Sequence, residues 1–200
     1  MKKLSFLFSV LFFSFLSQAA QKKLVIVGDS LSEGYGIAKQ STYASLLEEK
    51  LKADKKDYVV VNSSVSGSTS ASAPSRVKWT LKSNPDVIFL ALGANDALRG
   101  LPVGEVEKNL TEAIEMAKAA KVKVILGGVY APPNYGKDYV DKFKAVYPKI
   151  AKKLNVPLVP FILEGVAGHS KLNLSDNMHP NEAGHKIMAE HIYKSIKDQL

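Results

Sequence analysis

The sequence predicts an α/β protein, a three-layer α/β/α sandwich with a five-stranded parallel sheet at its centre. Two observations carry this. Apolar, β-branched runs alternate with longer amphipathic segments, and no repeat, low-complexity tract or linker interrupts the alternation. Zero cysteines exclude disulfides, zinc-thiolate sites and a thiol nucleophile, so stability rests on packing.

The first run, Leu24-Val25-Ile26-Val27, leads into Gly28-Asp29-Ser30 and puts a hydroxyl at the tip of a buried strand. Further strands are expected over residues 58–62, 87–92, 122–129 and 156–160. Between them, helices are expected over 43–52, 75–81, 103–120 and 139–154, and a last one follows Pro180 to about Ile196. Such alternation requires crossover connections and hence parallel strands, whose ligands bind beyond the carboxyl ends. Functional side chains are therefore sought in the loops that follow the strands.

Ahead of the first strand, Lys2 and Lys3 lead into an apolar stretch over 4–16, then Ser17-Gln18-Ala19-Ala20, the three regions of a secretory signal peptide. Roughly 13 apolar residues are too few for a bilayer span, which needs about 20. Cleavage is expected after Ala19 or Ala20, with no cysteine there to take a lipid anchor. The product would be a single domain over 20–200, exported to the periplasm or secreted, and monomeric. Loss of Lys2 and Lys3 lowers the formal charge from +8 to +6, with 25 basic side chains against 19 acidic. The lysines are spread along helices rather than clustered with aromatics. This describes a solvated basic surface with no nucleic-acid partner, compatible with transient contact with phospholipid surfaces.

Four loops hold residues with chemical potential. They are Ser30, Ser66-Gly67-Ser68-Thr69, Gly93-Ala94-Asn95-Asp96, and Asp176-Asn177-Met178-His179-Pro180 before the last helix. Taken singly, each has a duller explanation as turn chemistry or helix capping. Their joint occurrence, in order and each beside an expected element, favours catalysis. In this respect the sequence resembles the SGNH (GDSL) hydrolase family, whose motifs are a Gly-Asp-Ser nucleophile, a loop glycine, a Gly-x-Asn turn and a late Asp-x-x-His. Outside those motifs, Gly28-Asp29-Ser30-Leu31-Ser32-x-Gly34-Tyr35, Asn95-Asp96-x-Leu98-Arg99-Gly100 and Asn134-Tyr135-Gly136 are similar to its bacterial periplasmic acyl-thioesterase, lysophospholipase and arylesterase branch. The resemblance covers essentially the whole mature chain. It departs from the pattern at Ala94, where a second glycine is common, and at Ser68, where aspartate is common.

The resemblance implies the flavodoxin-like SGNH hydrolase fold and hydrolysis of acyl esters or thioesters, among them aryl esters, acyl-CoA and lysophospholipids. Ser30 would be the nucleophile, His179 the base and Asp176 its orienting acid. The backbone N–H groups of Ser30 and Gly67 and the Asn95 amide would form the oxyanion hole. Acyl transfer builds negative charge on an oxygen, and pre-aimed donors replace the water that would otherwise solvate it. A glycine lets the backbone approach the substrate, and an amide donates without carrying charge.

Competing groups have quieter roles. His185 and His191 fall within the last helix, and His169 has no acid nearby. Asp29 and Asp96 are expected to hold loop amides. Pro180 in the first turn of the last helix would place His179 at its amino end, where the helix dipole disfavours imidazolium. Leu98, Leu101, Pro102, Pro132, Pro133 and Tyr135 are expected to line an acyl site. No metal and no cofactor are expected, since no His-Glu-x-x-His or similar cluster occurs. The Gly-x-Ser-x-Gly elbow of α/β-hydrolases fails at Ser32. Two alternatives stay open: a carbohydrate acetyl esterase of the same family, and a non-catalytic binding protein on the same fold.

Overall fold

Five strands form one parallel sheet in the computed structural model, which describes residues 21–200; the expected signal peptide lies outside the described residues. They are β1 (Lys22–Gly28), β2 (Tyr58–Asn62), β3 (Val87–Ala91), β4 (Lys123–Gly127) and β5 (Leu158–Val159), in the order β2-β1-β3-β4-β5. Among the described residues seven α-helices accompany them: α1 (Ser30–Glu33), α2 (Tyr43–Ala53), α3 (Ala73–Leu81), α4 (Ala94–Leu98), α5 (Val103–Ala119), α6 (Lys137–Leu154) and α7 (Glu182–Ile196). Helices α2 and α7 pack together on one face of the sheet, while α5 packs between α3 and α6 on the other. This is the doubly wound, flavodoxin-like arrangement expected from the alternating pattern.

Coverage of both faces explains the composition of β3, Val-Ile-Phe-Leu-Ala, which is buried at every position. Each such Val, Leu, Ile or Phe contributes about 1.5–3 kcal/mol by leaving water. Strand β2 lies at an edge, and there the Val60 N–H donates to Glu48 Oε2 of α2 at 2.9 Å, which occupies a backbone donor that could otherwise recruit another strand.

Several boundaries shift by a few residues from expectation, and two of the shifts have a direct physical cause. Strand β5 pairs over only two residues because Pro157 and Pro160 bracket it, and neither has an N–H to extend the ladder. Helix α7 starts at Glu182 rather than at Pro180. Asn181 is its cap, the side chain accepting from the Gly184 N–H at 3.1 Å, so Pro180 lies before the helix.

Register sets the site. Gly28 of β1 lies opposite Ala91 of β3, so the chain leaves both strands at the same level and the following loops meet above the sheet. Strands β1 and β3 are the neighbours between which the order of winding reverses, the place where such sheets bind ligands.

Candidate active site

Asp29 follows β1 and caps α1, its Oδ1 accepting from the Leu31 N–H at 3.1 Å. Ser30 is thereby the first residue of a helix, where its backbone N–H has no intrahelical acceptor. The other oxygen of Asp29 is buried without a hydrogen-bond partner. Burial of this carboxyl pushes its pKa up to about 6, against the lowering effect of the Leu31 N–H.

The Asp176–His179 segment is a small closed loop. Asn173 bridges Pro180, Leu174 N–H donates to His179 O at 2.7 Å, and Asn177 takes the left-handed conformation at φ 55°. Within it, Asp176 Oδ1 accepts from the backbone N–H groups of Met178 (2.9 Å) and His179 (3.0 Å). Its Oδ2 lies 2.7 Å from His179 Nδ1. The imidazole hydrogen bond, reinforced by those two N–H groups, holds the Asp176 pKa down to about 2. An ionised carboxylate only accepts, so Nδ1 carries the proton and Nε2 is left as the acceptor. Nε2 lies 2.9 Å from Ser30 Oγ. Because α7 begins only at Glu182 with Asn181 as its cap, His179 does not stand at its amino end as Pro180 suggested, and Asp176 orients the ring. The tyrosine ring of Tyr35 leans on the imidazole, centroids 4.6 Å apart. Tyr35 is itself fixed by its N–H to the Ser30 carbonyl at 3.2 Å.

Gly67 has φ 77°, a left-handed conformation that favours glycine, and a Cβ there would meet nothing within 4 Å. Its loop is strapped on three sides. Glu33 of α1 accepts from the Ser66 N–H at 2.8 Å and from the Ser66 hydroxyl. Arg76 of α3 donates to Gly28 O (3.0 Å), Ser68 Oγ (2.8 Å) and Ser63 O. Arg99 donates to Gly67 O at 3.2 Å. Asn95 Nδ2 donates to Ser68 O at 3.1 Å, which ties the amide to the same loop, and the amide also lies near enough to Asp29 to lower that carboxyl's pKa. Asp96 is buried and accepts from Ser70 N–H (2.7 Å) and Ser70 Oγ (2.6 Å). Asp29 and Asp96 thus hold backbone geometry, as their positions suggested.

Gly93 rather than Ala94 carries the special backbone at this turn: its φ is 128°, and a Cβ would fall 2.1 Å from the Tyr147 hydroxyl. Ala94 is an ordinary first residue of α4, so its methyl costs the turn nothing. Ser68 spends its hydroxyl as the acceptor for Arg76.

A cavity of about 130 Å³ joins Ser30, Asn95 and His179. Of the six residues expected to line an acyl site, Leu98 and Pro132 do so, whereas Leu101, Pro102, Pro133 and Tyr135 are not among its walls. The reason is packing. Tyr139 donates to the Leu101 carbonyl, and Tyr135 donates to the Leu98 carbonyl and lies against Gly100, so these groups brace the segment after α4 from outside. Leu31, Ala94, Tyr130, Leu163 and Met178 complete the lining. Tyr130 and Met178 adjoin elements already singled out and were accessible to sequence reasoning, but Leu163 carries no local signal. Wider clefts of about 360 and 510 Å³ lie over the α5–α6 and α2–α7 surfaces, walled largely by Lys and Glu, and neither reaches Ser30. Among the described residues, no group of three or more His, Asp or Glu side chains is placed to hold a metal ion.

A doubly wound sheet with a serine, histidine and aspartate in one hydrogen-bonded chain at its switch point defines a hydrolase-like class, and the chain belongs to the GDSL-like Lipase/Acylhydrolase family, which matches residues 26–187. Among its relatives, esterase TesA of Pseudomonas aeruginosa is 37% identical over 184 residues, covering 92% of each chain. The thioesterase 1/protease 1/lysophospholipase L1 of Escherichia coli is 36% identical over 195 residues, 97% of this chain and 91% of that one. The crystal structure of the psychrotrophic esterase EstA from Pseudoalteromonas, inhibited by monoethylphosphonate, superposes with a TM-score of 0.84 at 35% identity, over 89% of this chain and 98% of that one.

Proposed function

We propose that this protein is a serine hydrolase of carboxylic esters and thioesters that works through an acyl-enzyme at Ser30. The observation that carries this reading is the unbroken chain from Ser30 Oγ through His179 Nε2 and Nδ1 to Asp176 Oδ2, at 2.9 and 2.7 Å. Ser30 Oγ attacks the acyl carbon while Nε2 takes its proton. The developing oxyanion is met by the N–H groups of Ser30 and Gly67 and by the Asn95 amide. Collapse breaks the bond to the alcohol or thiol, which leaves with the proton from Nε2. Water then repeats the sequence on the acyl-enzyme, giving the carboxylic acid and free Ser30. Asp176 stays ionised throughout and stabilises the imidazolium that forms twice per turnover.

The same reading includes export of a monomeric single domain over 20–200, on the strength of the charged, apolar and small-residue order of residues 1–20. Among the described residues no helix is long and apolar enough to cross a membrane. Contact with phospholipid surfaces would be transient and driven by the basic surface.

The test is labelling with a fluorophosphonate beside hydrolysis of nitrophenyl acetate. The protein should be labelled and active, and Ser30→Ala should lose both. Labelling that survives Ser30→Ala, or a folded protein that neither labels nor hydrolyses, overturns the reading and favours a binding protein.

A further inference from the structure

The 130 Å³ cavity beside Ser30 has a composition and an end wall that say more about the substrate than the catalytic chain does. We propose that it receives the acyl part of the substrate and that Tyr130 and Leu163 close it to all but short acyl groups, an inference that rests on the ester-hydrolase reading above.

Three observations converge. First, the cavity walls include Leu31, Ala94, Leu98 and Pro132, which suit a hydrocarbon and offer a sugar or phosphate no charged partner. Second, the volume is under half that of the smallest ordinary ligand pockets, about 300 Å³, so an extended chain does not fit inside. Third, the closing wall is braced. Tyr130 and Leu163 come from the segments after β4 and β5, two and three strands from β1, and line the cavity together with Ser30. The Tyr130 ring stacks on Phe161, centroids 4.2 Å apart and planes within 9°, and Lys144 Nζ lies 5.0 Å from its centroid. Leu163 follows Ile162, which is fully buried and whose N–H donates to Gly128 O at 2.9 Å. A side chain held by a stack and a cation–π contact, and another anchored through a buried neighbour, do not swing aside cheaply.

The experiment uses the full mature chain and two substrate series. One varies the acyl group from acetyl to dodecanoyl with nitrophenol as the leaving group, and the other keeps acetyl and varies the alcohol. Rates are normalised to the fraction labelled by fluorophosphonate, so misfolded protein does not count. The wild type should show its highest kcat/KM between acetyl and butyryl, falling at least about tenfold by octanoyl, the scale on which a pocket rejects an extra methylene. Tyr130→Ala and Leu163→Ala should each raise the octanoyl-to-acetyl ratio at least about tenfold, with the alcohol series unmoved. Two variants guard against failure of one to fold. A labelled wild type that prefers octanoyl or longer esters overturns the proposal. So do variants that shift the alcohol series and leave the acyl series unchanged, since the cavity would then hold the leaving group. Absence of labelling and of all hydrolysis would instead reject the ester-hydrolase reading itself.

Discussion

Asp176 divides its two carboxylate oxygens between separate tasks, Oδ1 closing the loop through two backbone N–H groups and Oδ2 fixing the tautomer of His179. The division makes Asp176→Asn an informative change. The amide oxygen can keep the Oδ1 contacts, but its NH2 then faces Nδ1 and forces the ring proton onto Nε2, where it cannot accept from Ser30. In a serine protease of another fold the matching exchange lowers kcat about 10,000-fold. A fall of similar order is expected here in steady-state ester hydrolysis, with the circular dichroism spectrum unchanged because Asp176 is exposed and its loop bonds survive. A loss under about tenfold would mean that Asp176 does not orient the base. Asn95→Ala should be milder, about 100 to 1,000-fold in kcat, because it removes one of several oxyanion donors.

At the scale of elements, the loop bearing Gly67 is held by side chains from its neighbours more than by its own backbone. Arg76 donates to two carbonyls and a hydroxyl there; in Arg76→Met the Gly28 carbonyl keeps the Val65 N–H at 3.1 Å, whereas Ser63 O loses its side-chain donor. The expected cost is about 1–3 kcal/mol per group that stays buried and unpaired, read as a lower urea midpoint, together with a drop in kcat as Gly67 loses its fixed place. Unchanged stability and activity would show the strap to be dispensable. None of this was legible in the sequence, and the reason is general. Strands β1 to β4 announced themselves as apolar β-branched runs, and the longer helices by periodicity, which needs a window of about 11 to 18 residues. Helices α1 and α4, at four and five residues, are too short to show any period. The order of motifs revealed Ser30, Asn95, Asp176 and His179, because each stands beside an element. Contacts made across elements left no trace along the chain: Tyr35 on His179, Glu33 on Ser66, and Leu163 beside the cavity.

Over the whole molecule, two buried titratable groups with opposite habits set how stability responds to mild acid. His185 of α7 is 1% exposed, and its Nδ1 accepts from the Tyr43 N–H at the start of α2, which joins the two helices of one face. Burial lowers its pKa from the ordinary 6.5 to about 4. Its folded form therefore refuses a proton that the unfolded chain accepts, and the stability it contributes above 6.5 is lost as pH falls toward 4. Asp29 does the reverse. Its pKa is raised from 3.8 to about 6, so the folded state keeps a proton that the unfolded chain releases, and stability declines as pH rises through that window. Between about pH 4 and about pH 6 the two slopes oppose each other. Asp176, with its pKa near 2, titrates below the window. The contributions of these two groups to wild-type stability in urea unfolding should therefore nearly cancel there. His185→Asn supplies a side-chain oxygen for the Tyr43 N–H and does not titrate, which leaves the Asp29 slope exposed. Stability of this variant relative to wild type should fall as pH rises from 4 to 6, by up to about 2 kcal/mol across the window, since one proton is worth about 1.4 kcal/mol per pH unit. Parallel pH profiles for the two proteins would show that His185 titrates alike in the folded and unfolded chains, and the coupling of α2 to α7 through a neutral imidazole would fall with it.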